Sequence, residues 1–229
     1  MRTAASLTLT IVAAWAVLAP VHSAQGKYTV KVGDAEPPKE LHDSIRPLLE
    51  AKPVQVYDPK GQLYCEVWFR KAIPAKATDE QVKNGLTYRE FPQTTIFGAI
   101  RFHQAGSDYR KQEVPPGVYT LRLVIQPQDG DHQGTAPHPE FCALVAAKLD
   151  TKPDVMEPKA LHELSARSLE GSHPAVLLLF PPAKPGAKPE IADHGMDHWV
   201  LKQPVQVEVN GKRVPLGINL TIVGSSPSA

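Results

Sequence analysis

The sequence has little net charge and, after its first residues, no long hydrophobic run. Its 229 residues include 25 Lys and Arg against 24 Asp and Glu, which gives a formal net charge of +1. A chain with balanced charges has no long-range electrostatic field that would attract nucleic acid or an anionic membrane, so we expect no nucleic-acid partner. No later stretch approaches the roughly 20 apolar residues of a spanning helix, so we expect no membrane insertion of the mature protein.

The signatures of common enzyme classes are also missing. The chain has no GxSxG nucleophile elbow, no phosphate-binding P-loop and no GxGxxG dinucleotide fingerprint. His162 and Glu163 begin like the HExxH helix of a zinc protease, but Ala166 stands where the second histidine is required. A catalytic triad is defined by the geometry of its three residues, so the sequence alone neither identifies nor excludes one. We therefore lean towards a protein without enzymatic activity.

The first residues are typical of an export signal. Arg2 is followed by an apolar run from Leu7 to Leu18, and Val21-His22-Ser23 places small residues at both key positions of a cleavage site. The run is too short to span a bilayer, which argues against an uncleaved anchor. We predict a signal peptide over residues 1–23 and a secreted or periplasmic protein.

The chain contains only two cysteines, Cys65 and Cys142. Because an exported protein meets oxidising conditions, the pair is a candidate disulfide. Such a bond would close a long loop, worth about 4–5 kcal/mol in the chain-entropy model. The alternative is two separate buried thiols that behave as small apolar residues. The sequence does not choose between these two interpretations.

Apolar and polar residues alternate with a period of two along much of the chain, which predicts β-strands. The clearest stretches are Leu63–Phe69, Ile96–Phe102, Tyr119–Ile125 and Val205–Val209. Asn210-Gly211 is typical of a two-residue hairpin turn. The 23 prolines favour short strands and loops over long helices. Among helix candidates, residues 158–169 are the best, with proline in the first turn.

Together these patterns predict a mostly β protein, an antiparallel β-sandwich of the immunoglobulin-like or prealbumin-like kind with one or two short helices. We see no repeat and no clear linker, so we expect a signal peptide over 1–23, one domain over 24–224 and a disordered tail over 225–229. The polar stretch 71–93 reads as a long excursion between strands. Residues 184–189 read as a surface loop.

Two loops are crowded with metal-ligand side chains. In an extended strand His194 and His198 would lie about 13 Å apart, but a tight turn at Gly195 would bring them together. With His132 they would form a three-histidine site for zinc or copper, and Met196 would add a soft ligand that favours copper. The alternative is that Asp, Gly and His gather there as ordinary turn-forming residues.

Carboxylates in the same loops allow a further interpretation. Asp131, Asp193 and Asp197 could orient the histidines or bind calcium themselves.

A different surface is offered by Tyr64 and Trp68, which are predicted on the outward side of one strand and could stack on a sugar ring. Aromatic residues placed in this way more often cover a second packing layer.

The segment Pro115-Pro116-Gly117-Val118-Tyr119-Thr120-Leu121-Arg122, followed by Asp129-Gly130-Asp131-His132-Gln133-Gly134, resembles exported bacterial proteins of unknown function. Its order of strands and turns is similar to that of prealbumin-like and immunoglobulin-like sandwiches. The resemblance covers about residues 60–150. It implies a bacterial source and a periplasmic or extracellular location, and it assigns no activity and no functional residue.

These observations order the functional hypotheses. The first is an exported, non-catalytic binding or accessory module of the cell envelope, with a glycan or an envelope protein as candidate partner. The second is a copper- or zinc-binding protein, with or without metal-dependent activity, that uses His132, His194, His198 and Met196. The third is a carbohydrate-binding module.

Overall fold

Strands dominate the computed structural model, which describes residues 26–127, 130 and 134–226. Strands contain 41% of the residues and helices 12%, with two α-helices in the described part. The strands are β1 (Thr29–Val32), β2 (Val54–Tyr57), β3 (Leu63–Phe69), β4 (Ile73–Pro74), β5 (Ile96–Phe102), β6 (Gly106–Ser107), β7 (Glu113–Val114), β8 (Gly117–Ile125), β9 (Glu140–Ala146), β10 (Val176–Ala183), β11 (Glu190–Asp193), β12 (Trp199–Val209) and β13 (Lys212–Val223). The helices are α1 (Asp79–Asn84) and α2 (Pro158–Ser168), and short 3-10 turns occur at Arg46–Leu48 and Tyr88–Glu90. The predicted signal peptide lies outside the described residues.

Ten of these strands follow one another in a single hydrogen-bonded path that curls into a half-barrel. The order is β1-β2-β3-β5-β8-β9-β10-β13-β12-β11. Neighbours in this path are antiparallel, whereas β4 pairs with β12 in parallel through Ile73 and Val207. The sheet is therefore mixed, and the prediction of a mostly β protein is confirmed. At the two ends of the path β1 lies beside β11, and the Tyr28 ring packs 5.2 Å from that of Trp199.

Strand β10 joins the two halves of the path. Its first residues pair with β9, and from Leu179 onward it pairs with β13. Pro181 and Pro182 follow, and since proline has no N–H to donate, the regular ladder breaks there. Side chains replace the missing bonds: the Tyr88 hydroxyl donates to the Phe180 carbonyl at 3.1 Å, and the Asn219 amide donates to that of Pro181 at 2.6 Å.

One hydrophobic core fills the concave side of the sheet. All four alternating stretches of the sequence contribute to it: Cys65, Val67 and Phe69 from β3, Ile100 and Phe102 from β5, Tyr119, Leu121 and Leu123 from β8, and Val205, Val207 and Val209 from β12. Alternate side chains of a strand point to the same face, which is why the period of two marked these residues correctly.

The outer face of β3 is also covered. Trp68 is 0% exposed and packs against Leu41 and Leu49 of the segment that precedes β2. Its indole N–H donates to the Ala35 carbonyl at 3.3 Å. Tyr64 is buried too, but in the main core. The expectation that Tyr64 and Trp68 are exposed for sugar stacking is therefore wrong, and Trp68 covers a second packing layer, which is the alternative stated above.

Helix α2 covers the outer face of β8 and β9, and it begins and ends close to where the sequence placed it. Leu161 packs against Val124, Ala143 and Val145 beneath the helix. The Ser165 hydroxyl donates to the Leu144 carbonyl at 2.8 Å. Since both faces of β9 are covered, its sequence is a continuous apolar run rather than an alternating one.

The candidate disulfide between Cys65 and Cys142 is not formed in this structure. Both residues are buried free thiols. Strands β5 and β8 lie between their two strands in the sheet order, so the cysteines are not neighbours in the ladder. Burial raises the pKa of both thiols. They act as small apolar residues of the core, which is the alternative that the sequence left open.

Helix α1 lies in the stretch that we predicted as an irregular excursion. The Thr78 hydroxyl accepts from the Gln81 backbone N–H, and the Gln81 side chain accepts from that of Thr78, which completes a capping box. The helix has only six residues, too few for its apolar positions to form a stripe. In the described part of the chain, neither helix has the length and apolar character needed to cross a bilayer.

A buried ion pair fixes the loop between β9 and α2. The Arg122 guanidinium binds both carboxylate oxygens of Asp150, each at 2.8 Å, and neither residue is appreciably exposed. Its remaining N–H groups donate to the carbonyls of Thr94, Lys152 and Asp154. The alternation along β8 puts Arg122 on the face opposite to Leu121 and Leu123, and this loop closes over it there.

Candidate functional site

One cavity among the described residues has a volume of about 380 Å³. It lies at the end of β8, between the loop that leaves this strand and the start of β10. Its apolar wall is formed by Tyr109, Val124, Phe141 and Val176. The rings of Tyr109 and Phe141 pack 5.7 Å apart, so one side of the cavity is an aromatic surface.

Three basic side chains line another part of the cavity. Arg110 comes from the turn between β6 and β7, His162 from α2, and His173 from the segment before β10. Asp and Glu are absent from the described residues of the wall. The site therefore combines an apolar body with positive and hydrogen-bonding groups, a composition suited to an anionic organic molecule.

A buried carboxylate shapes the turn that carries Tyr109 and Arg110. Asp108 accepts hydrogen bonds from the backbone N–H groups of Arg110 and Gln112, each at 2.8 Å, and of Val176 at 3.0 Å. The Gln112 side chain adds a fourth bond at 2.9 Å. Burial raises the pKa of the Asp108 carboxyl, and these four donors oppose that shift. The aromatic and the basic side chain are thus fixed at the cavity by local hydrogen bonds.

The segment after β13 completes the cavity wall. The Ser226 backbone N–H donates to the Tyr109 carbonyl at 2.8 Å, and its hydroxyl donates to that of Thr135 at 3.1 Å. Ser226 is buried and lines the cavity. It belongs to the segment that we predicted as a disordered tail, of which residues 227–229 lie outside the described part.

The predicted histidine site divides between described and undescribed residues. His194 and His198 flank a tight hairpin in which the His194 N–H donates to the His198 carbonyl at 2.8 Å. Gly195 has a φ of +80°, a conformation that glycine adopts without strain. Met196 projects from this hairpin and is 75% exposed. His132 lies outside the described residues.

Three histidines surround one phenyl ring next to the cavity. The Phe180 ring lies 5.2 Å from His138, 4.8 Å from His194 and 6.4 Å from His198, measured between ring centroids. His198 also packs 5.8 Å from Tyr109, which lines the cavity. Burial, together with Lys202 and His198, lowers the pKa of His194, although Asp193 opposes the shift.

The rings around Phe180 do not form a metal centre. In residues 26–127, 130 and 134–226, no three side chains of His, Cys, Asp or Glu come together as metal ligands. His198 is 3% exposed, its Nδ1 lies 3.2 Å from the Gly195 carbonyl, and its Nε2 is buried with no hydrogen-bond partner in this described part. The ring is therefore held by the contact of its Nδ1 with Gly195 and by aromatic packing.

Sequence reasoning missed the cavity because its wall comes from distant segments. Gly106-Ser107-Asp108 is a sequence typical of a turn, but nothing marked Tyr109 and Arg110 as neighbours of α2. His162 was noted only as part of an incomplete zinc-protease motif. Of the residues in the aromatic cluster, the sequence pointed to His194 and His198. It gave no local signal for His138 and Phe180.

Comparison with protein-family models, curated proteins and solved structures gives no match to the chain. The function is therefore inferred from the geometry of the cavity.

Proposed function

We propose that the protein is an exported, non-catalytic binding module of the cell envelope whose ligand is a small molecule with an apolar body and one anionic group. One observation carries this proposal: the cavity joins an aromatic and aliphatic wall to three basic side chains. Its volume of about 380 Å³ is in the range of small-molecule sites.

The apolar and the basic parts of the cavity wall contribute differently to binding. Tyr109 and Phe141 offer flat apolar surface whose burial against a ligand drives binding. Arg110 is exposed at the cavity, and its planar guanidinium can hold a carboxylate or a sulfonate through two parallel hydrogen bonds. His162 and His173 add further polar groups that fix the orientation of the ligand.

The proposal also includes the export of the protein and its classification as a β-sandwich. The charged residue and apolar run of residues 1–18 support export. The division of β10 between two sets of partners supports a sandwich in which this strand passes from one layer to the other.

Fluorescence titration with anilinonaphthalene sulfonate tests the proposal, because this probe joins fused aromatic rings to one sulfonate. We expect saturable binding to the folded protein, with enhanced emission. Ala136→Phe places a ring in the cavity and should abolish this binding. Arg110→Gln should weaken it about tenfold, which corresponds to about 1.4 kcal/mol.

The matched control is Arg213→Gln, which removes an exposed arginine of β13 that does not line the cavity. Circular dichroism of each variant should match that of the unaltered protein, so that lost binding is not lost folding. Equal probe binding by Ala136→Phe and the unaltered protein would contradict the proposal, as would a lack of binding to the unaltered protein.

A further inference from the structure

A second cavity, of about 330 Å³, lies between the end of β3 and the long strands β12 and β13. It shares no lining residue with the first cavity. Phe69, Val205 and Pro215 give it apolar walls, while Glu50, Arg70 and Gln203 supply its charged and polar groups. Unlike the first cavity, it therefore presents both signs of charge.

Arg70 is the first group in this cavity that lacks a partner. Its side chain is half-buried, and among the described residues its guanidinium makes no hydrogen bond or salt bridge. Burial lowers the pKa of Arg70, and nearby Arg122 lowers it further, although Glu208 opposes the shift. A guanidinium has five N–H donors, so this wall is ready to receive an anion.

Glu50 supplies the opposite charge. Its backbone N–H donates to the Phe69 carbonyl at 2.8 Å, which holds the residue beside the end of β3. In the described part of the chain its carboxylate forms no salt bridge, with Arg70 or with any other cation. The cavity thus keeps a cation and an anion apart, and a ligand with both charges could contact each of them.

Gln203 closes part of the cavity wall. Its amide Nε2 donates to the Pro204 carbonyl at 2.7 Å, which fixes the orientation of the side chain. Its Oε1 is buried and accepts no hydrogen bond from the described residues. Because this oxygen has almost no accessible surface, the charged groups that a ligand can contact are those of Arg70 and Glu50.

We infer that this second cavity binds a small zwitterion with an apolar side group, which is the chemistry of a free α-amino acid. The ligand carboxylate binds Arg70, and its ammonium group binds the Glu50 carboxylate. The side group packs against Phe69 and Val205. This inference is independent of the proposed function, because the two sites have no residue in common.

Isothermal titration calorimetry with three probes tests whether both charges are recognised. L-Leucine carries both, isocaproate keeps only the carboxylate, and isoamylamine keeps only the ammonium group. The three have similar apolar side groups. We expect leucine to bind at least about tenfold more tightly than either analogue, since each removes one charged contact.

Variants locate the site. Arg70→Gln and Glu50→Gln should each weaken leucine binding at least about tenfold. Arg213→Gln and Glu163→Gln are the matched controls, because they neutralise exposed residues outside the cavity. Both should keep full affinity, and circular dichroism should show that all four variants are folded.

Three results would overturn the inference. One is leucine that binds no more tightly than isocaproate or isoamylamine, and another is the absence of leucine binding at millimolar concentration. The third is full leucine affinity in folded Arg70→Gln, which would place the ligand elsewhere.

Discussion

Arg122 shows how a single side chain can organise a loop without contacting any ligand. A guanidinium removed from water must have all its donors satisfied, and here one carboxylate and three backbone carbonyls accept from it. Because these carbonyls belong to the loop between β9 and α2 and to Thr94, the ion pair holds separate segments together. The Thr120 hydroxyl, which donates to Asp150 at 2.5 Å, completes the group.

Arg122→Met should lower the free energy of unfolding by about 3–5 kcal/mol, since it leaves the Asp150 carboxylate buried without its cation. Urea denaturation measures this loss. Adding Asp150→Leu to Arg122→Met should recover part of the stability, because the uncompensated charge is then gone. Arg213→Met, at an exposed site, should change the stability by no more than about 0.5 kcal/mol. Equal effects of the two arginine substitutions would contradict this interpretation.

At the scale of elements, the hairpin between β11 and β12 links stability to pH. Its His194 has a lowered pKa, chiefly because burial against neighbouring groups disfavours the charged ring. The unfolded chain, with a histidine pKa near 6.5, therefore takes up a proton before the folded one does. The stability that neutral His194 contributes is complete above pH 6.5 and is lost as the pH falls through its lowered folded pKa.

We therefore expect the stability of the unaltered protein to fall more steeply below pH 6.5 than that of His194→Gln. Urea denaturation over a pH series measures both slopes. His42→Gln, which removes an exposed histidine distant in sequence from the hairpin, should retain the steep slope. Parallel curves for the unaltered protein and His194→Gln would show that His194 does not contribute.

Elements were predictable where their own residues decide their structure. The strand at Leu63–Phe69 and the turn at Asn210-Gly211 follow from local alternation and local backbone preference, and both are confirmed. The burial of Trp68 was not predictable in this way, since it depends on a segment more than twenty residues earlier. Helix α1 was overlooked although its capping box was present, because six residues give no periodic pattern.

At the scale of the whole molecule, local patterns could not predict which segments meet. The cavity brings together the turn at Tyr109, helix α2 and Ser226, which are separated by long stretches of sequence. The same limit explains why the sequence could not choose between a disulfide and two free thiols. Both cysteines were correctly placed on apolar strands, but their separation depends on the sheet order, which alternation does not contain.

The number of free thiols per chain tests whether the two cysteines are reduced and buried. Cys65 and Cys142 are buried, and burial raises the pKa of each thiol, so neither presents a reactive thiolate. We expect dithionitrobenzoate to react slowly with the native protein and to titrate two thiols per chain after unfolding without reductant. A denatured chain with no free thiol would show that the cysteines are oxidised.

The meeting of β1 and β11 affects how the molecule behaves among its own copies. Each of these strands has one row of backbone groups with no partner strand in the described sheet, and such rows usually recruit strands from neighbouring molecules. Here the two strands lie beside each other, and the rings of Tyr28 and Trp199 pack together next to them. Since Lys31 on β1 and Glu190 on β11 also place exposed charges on these edge strands, we expect them to pair poorly with strands of other copies.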